Sequence, residues 1–145
     1  MWVGINTYND NTFTTTGNAI DLTRTAGTML IQTFDDNVVS GNTVGSGIVV
    51  AGPAQFDAAA TAGLQAVSGG VTTIGAFGNG VGAGGMVLTN VEGTLNFTNL
   101  TIYNDNGTGL GAAGTGTGIT VTVNSGGGDT GIINSVGGPA VSASA

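Results

Sequence analysis

The stretch GGMVLTNVEGTLNF at positions 84–97 repeats NAIDLTRTAGTMLI at positions 18–31 without a gap. One leucine, two threonines and one glycine are identical in the two copies, and the apolar positions correspond. A shorter copy, GPAVSAS at positions 138–144, aligns with positions 17–23. Self-similarity of this kind is typical of proteins that are built from stacked structural repeats.

A second recurring element places an aromatic residue before a cluster of Asn and Asp. It reads YNDN at 8–11, FDDN at 34–37 and YNDN at 103–106, with FGNG at 77–80 as a divergent copy. After a variable stretch come a Gly or Asn, a small residue and an aliphatic residue, which are Ile20, Ile48, Met86 and Ile119. Asn, Asp and Gly tolerate the backbone angles of tight corners, so the order is strand, polar corner, strand.

The short runs between these corners have an apolar residue at every second position, which predicts strands with one buried face. The only helical signal is Gln55–Ala66, after Pro53, where we expect a short helix or an ordered loop. We therefore predict an all-β fold with one loop or short-helix insertion near 53–66. The alternating sets are Ile20/Leu22, Met29/Ile31, Ile48/Val50, Met86/Leu88, Leu95/Phe97 and Ile119/Val121/Val123.

The length of the unit favours a solenoid over a sandwich or a barrel. Equivalent strand starts fall at Gly27, Gly70 and Gly93, and the last two lie 23 residues apart. A turn of a parallel β-helix takes roughly 20 to 25 residues, because each turn must return to stack on the one before. We predict one parallel β-helix (β-solenoid) domain over residues 1–145, of about five rungs, or a segment of a longer repeat array.

The composition restricts the chemistry that is open to the protein. The 145 residues include one basic side chain (Arg24, for which the sequence suggests no role), eight acidic ones, 29 glycines and neither His nor Cys. A net charge of −7 disfavours nucleic acid and anionic membranes as partners, since both require clustered Lys and Arg. Without His or Cys there is no disulfide, no ordinary zinc site and no Ser-His or Cys-His pair.

Targeting and membrane signals are not recognisable in the chain. The opening MWVGIN lacks the positive start of a signal peptide. The charge-free stretch 58–91 is rich in Gly, Thr and Asn, so no membrane insertion is expected.

Three segments resemble the repeat region of large bacterial secreted or surface proteins of the adhesin and autotransporter-passenger kind. They are GSGIVVAG at 45–52, GTGITVTV at 116–123 and GGPAV at 137–141, and the likeness extends over nearly the whole chain. The resemblance implies a right-handed parallel β-helix and an extracellular or cell-surface location, and it carries over no catalytic residue. We expect a structural or adhesive module that self-associates through end rungs or charge-poor faces, or binds a glycan or another cell-surface ligand.

Asp35, Asp36, Asp10 and Asp105 are weak calcium candidates, because hard cations prefer several carboxylate and carbonyl oxygens that lie close together. The alternative interpretation is that these residues form corners and stack from rung to rung. The glycine pattern at 80–85 fits a dinucleotide fingerprint, but a strand follows it where that site needs a helix, so no cofactor is predicted.

Two other function classes remain open at this stage. A glycan-active enzyme would use Asp35, Asp36 and Asp57 as acids, although we predict no enzyme and no catalytic residue. An ice-binding solenoid would use threonine arrays such as Thr12/Thr14/Thr16 and Thr115/Thr117/Thr120/Thr122. The aromatic residues Tyr8, Phe34, Phe77 and Tyr103 are either a row that stacks on sugars or residues that stack in the core or close a corner.

Overall fold

A computed structural model describes residues 3–5, 12–13, 17–40, 44–60, 63–114, 118–124 and 131–144, and within them the regular structure is entirely β. Twelve strands belong to one continuous sheet, and every pairing between them is parallel. The strands are β1 (Val3–Ile5), β2 (Thr12–Phe13), β3 (Ile20–Thr23), β4 (Met29–Ile31), β5 (Val38–Val39), β6 (Ile48–Phe56), β7 (Val67–Ile74), β8 (Met86–Asn104), β9 (Leu110–Ala113), β10 (Ile119–Val123), β11 (Ile132–Ser135) and β12 (Val141–Ser144).

These strands stack on three faces of a solenoid. The first face contains β3, residues 48–51, residues 86–89, β9 and β12. The second face contains β1, β4, residues 54–56, residues 91–93 and the start of β10. The third face contains β2, β5, β7, the last part of β8 and β11.

One column of residues on the first face shows the stacking in register. Ile20 pairs with Ile48, Ile48 with Met86, Met86 with Leu110, and Leu110 with Val141. Four turns therefore separate Ile20 from Val141, and β1 and β2 add a partial turn before them. The predicted all-β parallel solenoid is confirmed, with about four turns where about five rungs were predicted. The turns are unequal, from 24 residues between Met86 and Leu110 to 38 between Ile48 and Met86, because their corner loops differ in length.

Strand β8 passes through all three faces without interruption, and its burial pattern shows how. Met86 and Leu88 point inward on even positions, whereas Val91 and Leu95 point inward on odd positions. The change falls at Asn90, whose φ of 55° turns the chain through a corner, and Gly93 adds a second left-handed residue with φ 111°. These two residue types are the ones that adopt such angles at least cost.

The interior is narrow and apolar, as the alternating pattern predicted. Phe34, Phe56 and Phe97 are fully or almost fully buried, and the rings of Phe34 and Phe56 meet edge to face at 5.9 Å. Ile74 and Ile102, in the third face, are also completely buried. The aromatic residue of FDDN thus belongs to the core.

A glycine and an isoleucine meet in each of the three later turns. A Cβ on Gly47, Gly85 or Gly109 would lie 2.2 to 2.4 Å from the Cγ2 of the isoleucine in its own turn, and 2.5 to 2.7 Å from a backbone oxygen of the next turn. These isoleucines are Ile74, Ile102 and Ile133. The recurring glycine is therefore required by close packing between the first and third faces. In the first turn, Ala19 takes the position of the glycine. Val39, which is smaller than isoleucine, takes the position of the isoleucine.

The structure corrects the second half of the sequence alignment. Residues 18–23 and 84–89 do share one column, but Met29 pairs with Ala54, which pairs with Val91, so Met29 corresponds to Val91 and not to Leu95. The shift arises because the first turn uses residues 24–28 as its corner, whereas the third turn bends at Asn90 alone. The echo at 138–144 is confirmed, since Val141 extends the column of Ile20.

Two further details differ from the sequence prediction. Ile119 was aligned with Ile20, Ile48 and Met86, but it pairs with Gly93 on the second face, and Leu110 takes that place. The insertion expected near 53–66 begins later, because β6 continues through Pro53 to Phe56. A loop follows from Asp57, and the described residues of this segment contain no helix.

Candidate functional site

Asp36, one of the calcium candidates, joins two neighbouring turns. Its φ of 55° places it at a corner, and its Oδ1 accepts a hydrogen bond of 2.7 Å from the backbone N–H of Val71 in the next turn. Asn18, before β3, also joins two turns, because its Oδ1 accepts a 2.9 Å hydrogen bond from the N–H of Ser46 in the next turn. Both contacts agree with the interpretation of Asn and Asp as corner residues that stack from turn to turn.

The other calcium candidates do not converge on Asp36 in the described structure. Asp35 is half-buried beside it in sequence, whereas Asp105 is exposed after β8, where its N–H donates to the carbonyl of Val81 at 2.8 Å. Asp10 lies outside the described residues. In the described ranges, no three acidic side chains come close enough together to hold a metal ion.

Asp57, considered as an acid for glycan hydrolysis, instead organises the loop after β6. Only 2% of its surface is exposed, and its Oδ1 accepts hydrogen bonds from the N–H groups of Ala59 at 3.2 Å and Gln65 at 2.9 Å. A buried carboxylate requires such donors, because leaving it unpaired would cost several kcal/mol. The contacts give Asp57 a structural role in closing the loop.

The YNDN element at 103–106 and the FDDN element at 34–37 occupy different places in the turn. FDDN precedes the third-face strand β5, whereas YNDN overlaps the end of β8 and continues into the corner toward the first face. Asn104 is buried, and its side-chain amide donates to the carbonyls of Asn106 and Gly107, each at 3.0 Å. The two motifs have similar sequences because the side chains of both form hydrogen bonds to backbone groups at corners. They do not occupy equivalent positions in the turn.

The aromatic residues separate into a buried and an exposed set. Phe34 is in the core, whereas Phe77 is 83% exposed and its ring meets that of Tyr103 edge to face at 6.1 Å. Tyr103 is half-buried on the outer side of the third face. Tyr8 lies outside the described residues. Packing in the core is therefore confirmed for Phe34, whereas the ring of Phe77 lies on the surface.

The threonine arrays are only partly within the described residues. Thr120 pairs with Thr94, but Thr122 pairs with Asn96, and Thr12 pairs with Val38. In the described strands, these threonines therefore form no column that continues through every turn. The remaining members, Thr14, Thr16, Thr115 and Thr117, lie outside those residues.

The clearest candidate for an interaction surface is the end of the solenoid formed by β12. In four successive turns, the column residue donates its backbone N–H to the next turn, from Ile20 to Gly47, Ile48 to Gly85, Met86 to Gly109 and Leu110 to Ala140, at 2.8 to 2.9 Å. Val141 is the fifth residue of this column, so its N–H points outward, beyond the last described turn. Among the described strands, β12 pairs with β9 alone.

Exposure at this end contrasts with that of the same column inside the solenoid. Ile48 and Met86 have no exposed surface, whereas 56% of Val141 is exposed. All four residues of β12 are exposed. Within the described residues, this end therefore presents backbone groups that no strand pairs and an apolar side chain of the type that the preceding turns bury.

At the opposite end of the solenoid, β3 carries the carboxylate of Asp21. The hydroxyl of Thr23 and the side-chain amide of Asn18 both donate hydrogen bonds to its carboxylate. These two bonds, with that from Thr23 the larger influence, lower the pKa of Asp21 below its ordinary value. The carboxylate is therefore the favoured form at neutral pH, and it keeps this edge negatively charged.

The chain matches no protein-family model, and comparisons with curated proteins and with solved structures find no match. None of the described segments forms an apolar helix of the length needed to cross a membrane.

Proposed function

We propose that the chain is a structural and adhesive β-solenoid module of a bacterial extracellular or cell-surface protein, which associates end to end with further copies. The observation that carries the proposal is the outer edge of β12, where the N–H of Val141 continues a column that donates to the next turn. An unpaired strand edge is a template on which another strand can add.

Burial supports an additional turn at this end. Within the column, residues that have a turn on both sides are at most 8% exposed, whereas Val141 is 56% exposed. A strand that docks on β12 would cover this side chain and pair its backbone at the same time. Repeat proteins gain most of their stability from such contacts between neighbouring units.

The order of the faces favours a second copy as the occupant. Strand β12 lies on the first face, so the next strands of a continuing solenoid would lie on the second and third faces. At the opposite end, β1 and β2 lie on the second and third faces, and β3 follows on the first. A second copy placed beyond β12 would continue this order without interruption.

The proposed location rests on the resemblance to bacterial surface repeats.

The composition supports contact through the lateral faces. With charged residues at 6% of the chain, these faces repel each other weakly and offer contact surface. Rigid stacking of turns then provides the mechanical role, because each turn is held by backbone ladders on both sides.

Blocking the edge of β12 tests the proposal. The carbonyls of Ala140 and Ser144 accept hydrogen bonds from the N–H groups of Leu110 in β9 and of Gly114 just after it. The backbone groups of the alternate residues Val141 and Ala143 therefore point away from β9. The variant Ala143→Pro should remove an outward N–H without breaking the ladder to β9. Ala143→Ser retains the N–H and is the matched control.

We expect the wild type and Ala143→Ser to form larger species with rising concentration in sedimentation velocity, and filaments in electron micrographs. Ala143→Pro should remain monomeric with an unchanged circular dichroism spectrum. A wild-type chain that stays monomeric at high concentration, or a proline variant that assembles equally well, would contradict the proposal.

A further inference from the structure

Phe77 stands at the tip of a short hairpin that follows β7. Ala76 and Asn79 exchange two backbone hydrogen bonds of 3.0 and 2.9 Å, which leaves Phe77 and Gly78 as the two loop residues. Phe77 is 83% exposed, the largest value among the exposed large hydrophobic residues of the described chain. A rigid turn that holds an aromatic ring in water indicates a contact surface, since burial elsewhere would stabilise the chain more.

The ring does not stand alone, because Tyr103 meets it edge to face. The ring centroids are 6.1 Å apart with an interplanar angle of 83°, and such a pair covers at most one ring face. The residue beside Tyr103 in the preceding turn is Gly75, which has no side chain to cover the tyrosine. The pair therefore offers aromatic surface in a fixed geometry.

Uncharged polar groups and one carboxylate flank this pair. Asn134 pairs with Tyr103 in the next turn and is exposed, and Thr101 precedes Tyr103 by two residues on the same side of β8. The Oδ1 of Asp105 lies 2.6 Å from the place of a Cβ on Gly80, directly after the hairpin. Amide, hydroxyl and carboxylate groups thus lie on strand positions and a corner next to the aromatic pair.

This combination fits the chemistry of a neutral sugar ring. The C–H face of a sugar is apolar and packs on an aromatic ring, while its hydroxyls hydrogen-bond to amide, hydroxyl and carboxylate groups. An anionic glycan or a nucleic acid is disfavoured by the net charge of −7 and the proximity of Asp105. We propose that Phe77 and Tyr103, with Thr101, Asp105 and Asn134, form a binding platform for neutral oligosaccharides.

This platform lies on the third face and its adjoining corner, so it does not depend on end-to-end association through β12. Its test is a titration of the ¹⁵N-labelled chain, below the concentration at which it assembles, with short neutral oligomers of glucose, mannose, galactose and N-acetylglucosamine. Oligogalacturonate, which is acidic, serves as the comparison ligand. We expect at least one neutral oligomer to shift the amide signals of 76–80, 101–105 and 134, and oligogalacturonate to leave them in place.

Variants separate the aromatic contact from general surface effects. Phe77→Ala should weaken binding about tenfold or more, which corresponds to the loss of one stacking contact. Tyr103→Phe keeps the ring and should lower affinity less than Tyr103→Ala. Leu64→Ala removes another exposed apolar side chain, 38% exposed and located before β7 instead of after it, and should leave binding unchanged.

Three outcomes would overturn the proposal. The first is that no neutral oligomer shifts these signals, and the second is that Phe77→Ala binds as tightly as the wild type. The third is that the same signals move when protein concentration alone is raised, which would assign the platform to a contact between copies. Circular dichroism spectra establish that each variant is folded before it is titrated.

Discussion

The third turn and the last turn contain the same kinds of residue but differ sharply in burial. In β8, which forms the third turn, inward residues such as Met86, Leu95 and Ile102 have no exposed surface. In β12, which ends the last described turn, all four residues are exposed. Among the described strands, β8 has neighbours on both sides, whereas β12 pairs with β9 alone. In a solenoid, the core of a turn is completed by the turns next to it.

The largest expected effect comes from emptying the core of the third turn. Phe97→Ala removes a ring that is 1% exposed, and we expect a loss of about 3 to 5 kcal/mol in the free energy of unfolding. Val141→Ala in β12, where the side chain continues the inward column but is 56% exposed, should cost less than about 1 kcal/mol. Urea unfolding followed by circular dichroism measures both changes. Equal losses would contradict the dependence on neighbours.

A methyl group added to one of the recurring glycines (the glycine column of Gly47, Gly85 and Gly109) should give the next largest effect on stability. In Gly85→Ala, the new Cβ would meet Ile102 and the backbone of Gly109, and we expect a loss of about 1 to 3 kcal/mol. Gly109→Ala should cost less, because its partner Ile133 lies on an edge strand that can shift outward. Gly63→Ala is the control, since nothing lies within 4 Å of its added Cβ. Thermal unfolding midpoints rank the three variants.

The contact between turns made by Asp36 is expected to be smaller. Asp36→Ala removes the acceptor for the N–H of Val71, and at an exposed corner this should cost about 0.5 to 1.5 kcal/mol. Adding a calcium chelator to the wild type should leave its unfolding midpoint unchanged if Asp36 serves as a corner residue. A midpoint that falls with chelator, and no longer does so in Asp36→Ala, would instead support the calcium interpretation.

The smallest effect concerns Asp21 on the opposite edge of the solenoid. Because hydrogen bonds lower its pKa in the folded chain, the carboxylate stabilises the fold above the unfolded pKa, and this contribution is lost as the pH falls through the folded pKa. Asp21→Asn should therefore flatten the acid limb of the stability profile, below about pH 4, and change little at neutral pH. Unfolding midpoints measured from pH 2 to pH 7 provide the comparison. An unchanged acid limb would contradict the assigned hydrogen bonds.

Much of the fold was predictable because solenoid turns repeat their local chemistry. The alternation of apolar residues in β3 and in the first part of β8, and the echo at 138–144, identified strands that do share one column. The second half of the alignment failed because corner length is set by one backbone angle, such as that of Asn90, which has no distinct pattern in sequence. Ile119 was misplaced because it also follows a glycine, as Ile48 and Met86 do.

The candidate surfaces were less predictable than the fold. The exposure of Phe77 depends on a hairpin that only the fold creates, since FGNG resembles a corner copy of YNDN and FDDN. The exposure of Val141 depends on which turns lie next to β12. The sequence around it resembles that of the buried column residues, so it does not contain this information. The glycine column had a signal, namely a glycine before each aliphatic residue at Ile48, Met86 and Leu110, but its isoleucine partners lie far along the chain.

Residue-resolved amide hydrogen exchange of β12, at low and at high protein concentration, tests end-to-end association most directly. We predict that the outward N–H groups of Val141 and Ala143 exchange fast in dilute solution and slow down as the concentration rises. The N–H groups of Ser142 and Ser144 face β9 and should be protected at both concentrations. Outward amides that exchange at the same fast rate at every concentration would contradict the proposed function.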